Sequence, residues 1–91
     1  MQSVRYTPEF FLQVACGVDG DIEAVKNFIH LGADISSDNY RALSCAVQWG
    51  HIEIVKLLLE SQRHPPEVIL RSLRIASEGR HTDIIKLLRE Y

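Results

Sequence analysis

Residues 51–59, His-Ile-Glu-Ile-Val-Lys-Leu-Leu-Leu, carry the pattern that decides the fold of this 91-residue chain. The pattern also occurs 30 residues earlier, at 21–29 (Asp-Ile-Glu-Ala-Val-Lys-Asn-Phe-Ile), and 30 residues later, at 81–89 (His-Thr-Asp-Ile-Ile-Lys-Leu-Leu-Arg), without a gap. In each copy the apolar residues recur at helical spacing. A fixed period of this length is typical of stacked supersecondary units. The sequence therefore predicts three repeats, each ending in a helix.

Turn and capping residues divide each repeat into two helices. A glycine lies one or two residues ahead of each copy of the pattern, where it can end the preceding helix. Proline or capping residues begin the leading helices, at 7–9, 37–39 and 64–67. The sequence predicts six helices, near residues 8–17, 21–31, 39–48, 51–61, 66–78 and 81–90.

The second helices show which surfaces are covered, because residues three or four apart share one stripe of a helix. One stripe is apolar in every repeat and should pack on the repeat's own first helix. Another is small and polar in the first repeat but apolar afterwards, so it should face the preceding repeat. The third is polar only in the last repeat, so it should face the following one. The three stripes are Val25/Phe28, Val55/Leu58 and Ile85/Leu88; Ala24/Asn27, Ile54/Leu57 and Ile84/Leu87; and Ile22/Ile29, Ile52/Leu59 and Thr82/Arg89.

This distribution predicts a first and a last repeat that cap the stack, as solenoids need for solubility. At this length we expect one domain, residues 1–91. Its repeats should span about 5–34, 35–64 and 65–91.

Two runs resemble a known family. The run from Cys45 to Glu60 resembles the core of an ankyrin repeat, and Leu31-Gly-Ala-Asp-Ile35 resembles the hairpin that connects such repeats. The resemblance is strongest over residues 31–60. It implies an all-α, ankyrin-like helical solenoid of three helix-pair repeats with capping first and last repeats. Short 30-residue repeats of this kind are similar to the ankyrin arrays of giant viruses and some microbes.

Two positions depart from the family pattern. Where the family usually has Thr-Pro-Leu-His, residues 41–44 read Arg-Ala-Leu-Ser. At the second hairpin position, residues 62–66 read Gln-Arg-His-Pro-Pro, so we expect that hairpin to be missing or rebuilt. His51 and, by repetition, His81 occupy the family's Gly-His position, where the resemblance implies a structural imidazole that caps local backbone.

The resemblance also implies a protein-binding module, which presents its hairpin tips and first helices as a concave surface. Tyrosine and tryptophan are enriched at binding hot spots because they bury a large area at low entropic cost. Two alternatives stand beside this interpretation: in one Trp49 folds over the third repeat, and in the other the Tyr40 ring packs on Phe10. Carried over residue by residue, the family's partner-facing positions fall on Ser37, Asp38, Tyr40, Gln48 and Trp49.

Composition and charge narrow the function classes. The net charge is −2, from 10 basic and 12 acidic residues, which disfavours generic polyanion binding. The sequence contains neither a signal-peptide apolar region nor a long apolar run, so we expect no membrane span. The two cysteines should be buried thiols, which suits a reducing compartment. We expect a cytoplasmic location, or the host cytoplasm if a virus or pathogen encodes the chain.

The motifs of catalysis and metal binding are missing. No histidine stands four residues from another histidine or a cysteine, and no nucleophile can be matched with a base. The glycines form neither a P-loop nor a dinucleotide-binding run. We therefore expect a non-enzymatic protein with no catalytic, cofactor-binding or metal-binding residues.

The sequence thus favours binding to another protein, of unknown identity, through the concave face of repeat two. The chain would act as a small inhibitor or adaptor and exist as a monomer or weak homodimer. One alternative is a nucleic-acid-associated protein that acts through the third repeat, because residues 61–91 hold six basic and four acidic residues. Another is a self-associating structural unit, with Leu70, Leu73 and Ile75 or Trp49 buried between chains.

Overall fold

The fold is all-α. The computed structural model describes residues 8–17 and 20–90, without the side chains of residues 8–11, 37 and 38. Over these residues it has six helices and no strand. The predicted helices are confirmed, and each end agrees within two residues. The helices are α1 (Pro8–Cys16), α2 (Ile22–His30), α3 (Ser37–Gln48), α4 (Ile52–Ser61), α5 (Pro66–Glu78) and α6 (Thr82–Arg89).

The six helices form two layers. Within each pair the first helix packs on the second, α1 on α2, α3 on α4 and α5 on α6. Between pairs, α1, α3 and α5 contact one another in order, and so do α2, α4 and α6. The molecule measures 45 × 24 × 23 Å, as expected when each unit is stacked only on its neighbours. We name the α1, α3 and α5 row the first-helix layer.

The core runs through the stack between the two layers. Val25, Val55 and Leu88, which belong to the stripe predicted to face the first helix, are fully buried. Ile22 and Leu57 line one shallow cavity between α2 and α4, so the stripes predicted to face neighbouring repeats do meet there. Thr82 and Arg89, the polar residues of the last repeat, are exposed. The burial pattern therefore follows the three stripes predicted from the sequence.

Two histidines join neighbouring helix pairs. The Nε2 atom of His51 lies 2.9 Å from the carbonyl oxygen of Gly17, at the end of α1. The Nε2 atom of His81 lies 3.2 Å from the carbonyl oxygen of Gln48, at the end of α3. Both imidazoles thus bind unpaired carbonyls at a helix end. The structural role is as expected, but the expectation of local capping was wrong, because each ring reaches the preceding helix pair.

The connection between the second and third pairs is shorter than that between the first and second. Residues 31–36 join α2 to α3, and Asp34 accepts hydrogen bonds from the Ser36 amide (2.9 Å) and hydroxyl (2.6 Å). Residues 62–65 join α4 to α5. There the His64 side chain turns inward and is only 8% exposed. The second connection is therefore rebuilt around a buried ring.

Candidate functional site

The candidate site is the groove between α1 and α3, on the exposed side of the first-helix layer. It encloses a cavity of ≈ 290 Å³. The groove exists because successive first helices pack side by side and leave a furrow between their exposed faces. We name it the α1/α3 groove, and it is lined by Gln13, Val14, Gly17, Arg41, Cys45, Gln48 and Trp49.

Trp49 is the largest side chain in the α1/α3 groove. It is the C-cap of α3, and its amide donates to the Cys45 carbonyl, while the Gly50 amide donates to that of Val47. The Cδ1 atom of its ring lies 3.7 Å from the position that a Cβ on Gly17 would occupy, so the ring stands beside the end of α1. It is nevertheless 53% exposed. The ring thus lines a cavity with residues of α1 and α3, and not with residues of the third repeat as in the alternative.

Val14, on α1, adds a second exposed apolar side chain to the same groove. It is 37% exposed, whereas Leu12 and Ala15 on the same helix are buried in the core. Large apolar side chains gain little by standing in water, and a pair of them beside a furrow is typical of an interaction surface.

Arg41 and Gln48 supply the polar part of the groove. Both side chains are exposed. The Gln48 backbone carbonyl is engaged by His81, which fixes the helix end from which its side chain projects. A guanidinium donates to carboxylates in a planar fork, and an amide can both donate to and accept from a peptide backbone. The described lining of the groove thus offers one cation and, with Gln13, two side-chain amides next to an apolar surface.

The groove thiol is a poor nucleophile. Burial raises the pKa of Cys45, and the nearby charge of Arg41 only partly offsets that effect. Burial, together with the neighbouring Cys45, raises the pKa of Cys16 to about 12. Since the thiolate is the reactive form of cysteine, neither side chain is suited to covalent catalysis at neutral pH.

Tyr40 lies away from the α1/α3 groove, although the sequence grouped it with Gln48 and Trp49. Its ring is half-buried and lies 5.1 Å from the His64 ring, centroid to centroid, at an interplanar angle of 48°. Its proposed alternative partner, the side chain of Phe10, lies outside the described residues. The Tyr40 ring thus packs against the rebuilt connection, which gives it a structural contact.

The five residues singled out from the sequence are therefore dispersed. Gln48 and Trp49 line the α1/α3 groove, and Tyr40 lies against His64. Ser37 and Asp38 begin α3, but their side chains lie outside the described residues. Sequence reasoning missed Gln13, Val14, Arg41 and Cys45. Two features of the sequence could have indicated them: an apolar residue, Val14, at an outward position of α1, and Arg41 where the family usually has threonine.

A larger cavity, of ≈ 470 Å³, lies beside the rebuilt connection. Its lining mixes apolar residues with charges of both signs, so it presents no single recognisable chemistry. The Nε2 atom of His64 is buried there without a hydrogen-bond partner. The lining residues are Leu59, Glu60, Gln62, Arg63, His64, Ile69 and Glu90.

Residues 8–17 and 20–90 contain neither a metal-binding cluster nor a membrane-spanning helix. Across that part of the chain, no three histidine, cysteine or acidic residues come together as a metal site would require. None of its helices combines the length and apolar character that crossing a bilayer demands.

Comparison with known proteins points to one family. A family model described as ankyrin repeats (3 copies) matches residues 11–91. The chain is also similar to the mitochondrial liver isoform of glutaminase from Mus musculus, 34% identical over 79 residues, and from Rattus norvegicus, 33% identical over 79 residues. Each similarity covers 79% of this chain but only 13% of the glutaminase. No solved structure matches significantly.

Proposed function

The chain belongs to the ankyrin-repeat family, and from that premise we propose that it binds another protein through the α1/α3 groove. Ankyrin repeats are generally protein–protein interaction modules and are typically non-enzymatic. Within the concave face of repeat two, the binding surface is then the furrow between the first helices of the first two pairs. Residues 1–91 then form one binding domain with repeats of about 5–34, 35–64 and 65–91.

The observation that carries the proposal is the exposure of Trp49 beside Val14. A tryptophan left 53% exposed next to a cavity has apolar area available for a partner to bury. Such aromatic anchors dominate interface energetics, and truncating one costs about 2 kcal/mol or more in binding free energy. Gln48 and Arg41 on the rim supply the polar contacts that orient a partner.

We propose further that binding is itself the activity, as in a small inhibitor or adaptor. The groove offers no nucleophile with a low pKa, and glutaminase activity is not carried over from relatives that the chain matches over 13% of their length. The two free cysteines suit a reducing compartment, so we propose that the chain acts in the cytoplasm, or in a host's cytoplasm if a virus or pathogen encodes it.

The test is an affinity capture from lysate of the source organism or its host, run with and without nuclease. The wild-type chain and a Trp49→Ala variant serve as baits. Leu70→Ala is the matched control, since Leu70 is an apolar side chain 65% exposed on α5, away from the groove. Tyr40 is left intact because its ring packs on His64.

A protein retained by wild type and by Leu70→Ala, but lost by Trp49→Ala, is the expected result. By the truncation cost above, the affinity of that protein should fall about 30-fold. Retention by all three baits would contradict the groove assignment. Loss on nuclease treatment would instead favour the nucleic-acid alternative, in which the basic third repeat binds a phosphate backbone.

A further inference from the structure

The charge of the α1/α3 groove allows its partner to be described chemically, provided that the proposed function holds. We propose that the groove takes a linear protein segment in which a carboxylate side chain lies close to a bulky apolar side chain. The carboxylate would pair with Arg41, and the apolar side chain would pack on Trp49 and Val14. Four features of the structure support this assignment.

The first feature is the guanidinium of Arg41. Its side chain is exposed on the groove, and no described carboxylate lies within ion-pair distance of it. Within residues 8–17 and 20–90 the structure records one ion pair, between Lys26 and Glu23 on α2, at 3.5 Å. Among the described side chains, the lining of the groove includes no acidic residue. Arg41 is thus positioned to bind an external carboxylate in the two-pronged geometry that arginine favours.

The second feature is that positive charge continues along the first-helix layer. Arg71 is the equivalent of Arg41 one repeat later, and its guanidinium donates to the Asn39 carbonyl on α3. Arg74 follows one turn further along α5 and is exposed. The acidic side chains described on α5, Glu67 and Glu78, lie at its two ends. A partner approaching the middle of this layer therefore meets a field that favours negative charge.

The third feature is the apolar surface next to Arg41. Trp49 and Val14 line the same cavity as Arg41 and keep exposed apolar area, at 53% and 37% exposure. Contact between a partner's apolar side chain and this surface would exclude water from the neighbouring ion pair. Partial desolvation strengthens such a pair relative to one in open solvent.

The fourth feature is the shape of the site. A cavity of ≈ 290 Å³ between two adjacent helices is at the small end of the range, about 300–1,000 Å³, that encloses small-molecule ligands. It is an open furrow suited to a few side chains of an extended segment. The exposed amide of Gln48 at its rim can hydrogen-bond to the backbone of that segment.

The proposal is tested by selecting random linear peptides, displayed on phage, against four baits. The baits are the wild-type chain, Arg41→Glu, Trp49→Ala and, as the matched charge-reversal control, Lys56→Glu. Lys56 is an exposed cation on α4, in the other layer. All variants change exposed side chains, and helix content by circular dichroism confirms that each bait is folded.

Wild type and Lys56→Glu should enrich peptides with Asp or Glu at a fixed spacing from Leu, Ile, Met or Phe. Arg41→Glu should select Lys or Arg at the acidic position, and Trp49→Ala should lose the enrichment. An enriched peptide should also shift the emission of Trp49, the chain's only tryptophan. Its affinity should fall about tenfold in Arg41→Glu and weaken as salt is raised.

The outcomes separate this proposal from the proposed function. Enrichment that depends on Trp49 but is unchanged by Arg41→Glu, or that shows no acidic position, overturns the partner chemistry and leaves the groove function standing. Enrichment unchanged in both variants overturns both proposals. A selection in which wild type enriches no peptide beyond Trp49→Ala overturns the assignment of a linear segment.

Discussion

His51 and His81 show how a single side chain can align one repeat on another. Each imidazole binds a carbonyl at the end of the preceding pair's first helix, 34 and 33 residues earlier in the chain. Each ring also fills the space beside a glycine of the preceding pair: a Cβ on Gly20 or Gly50 would collide with it. Each imidazole therefore packs where it does because the neighbouring residue is a glycine, which has no Cβ in that space.

Replacing Gly50 with alanine should destabilise the fold by more than the backbone conformation alone accounts for. Gly50 has φ +74°, and an added Cβ would lie 2.8 Å from Cε1 of His81. The left-handed conformation costs alanine about 1 kcal/mol, and displacement of the ring adds to this. Gly32→Ala is the control, because Gly32 has φ +92° and open space around it. Urea unfolding of both variants measures the difference; equal losses would show that the ring contact contributes nothing.

His64 should make the fold less stable in mild acid. Burial lowers the pKa of its imidazole below the ordinary 6.5, although the hydrogen bond to the Gln62 carbonyl opposes this. As pH falls below about 6.5 the unfolded chain takes up a proton before the folded chain does, so the free energy of unfolding falls. The decrease ends at the lowered folded-state pKa. Well above pH 6.5 the imidazole is neutral in both states, so His64 gives the free energy of unfolding no dependence on pH.

The measurement is urea unfolding between pH 7.5 and pH 4.5. His64→Leu should show a flatter dependence on pH than wild type, whatever its absolute stability. The Ser36 hydrogen bonds lower the pKa of Asp34, so this carboxylate stabilises the fold until the pH falls towards its ordinary pKa of 3.8. That loss of stability lies below the measured pH range. If the free energy of unfolding of His64→Leu fell with pH as steeply as that of wild type, His64 would not be the cause of the acid sensitivity.

At the scale of the helix, α4 shows what an internal position in the stack requires. It contacts α2, α3 and α6, and it carries four buried residues, Ile54, Val55, Leu58 and Leu59. On α6 only Ile84 and Leu88 are buried, since no helix pair follows it in the described chain. The same sequence pattern therefore buries a wider face where neighbours lie on both sides.

Two adjacent leucines of α4 should respond differently to truncation. Leu58 is fully buried, so Leu58→Ala should cost about 2–5 kcal/mol in the free energy of unfolding and leave a cavity. Leu57 borders an open cavity between α2 and α4 and is half-buried, so Leu57→Ala should cost clearly less. Thermal and urea unfolding of both variants test the ranking. If Leu57→Ala cost as much as Leu58→Ala, the packing of α4 described here would be incorrect.

At the scale of the whole molecule, stability should be greatest in the middle of the stack. Each helix pair contacts only its neighbours, so the middle pair alone is supported on both sides. Hydrogen exchange followed by mass spectrometry should therefore find the slowest amides in α3 and α4, and faster exchange in α1 and α6. Leu58→Ala should accelerate exchange in all three pairs. Fastest exchange in α4 would contradict this arrangement.

The fold was largely predictable from local pattern, and the site much less so. The 30-residue period and the three stripes predicted six helices and the inter-repeat faces, because apolar periodicity reports burial directly. Gln48 and Trp49 were found because the partner-facing positions of the family that the chain resembles fall on them. Val14 and Arg41 were missed because they join the groove only when α1 lies beside α3, a contact between distant residues.

The sequence by itself determined the helices, their pairing and the faces that meet a neighbouring repeat, since these follow from residues within one turn or one period of each other. Only the tertiary structure decided which way each ring points. Tyr40 turns to His64, Trp49 turns to the end of α1, and His51 reaches the pair before its own. The physical reason is that such orientations depend on the free space and carbonyls that a neighbouring repeat presents, and these exist only once the repeats are stacked.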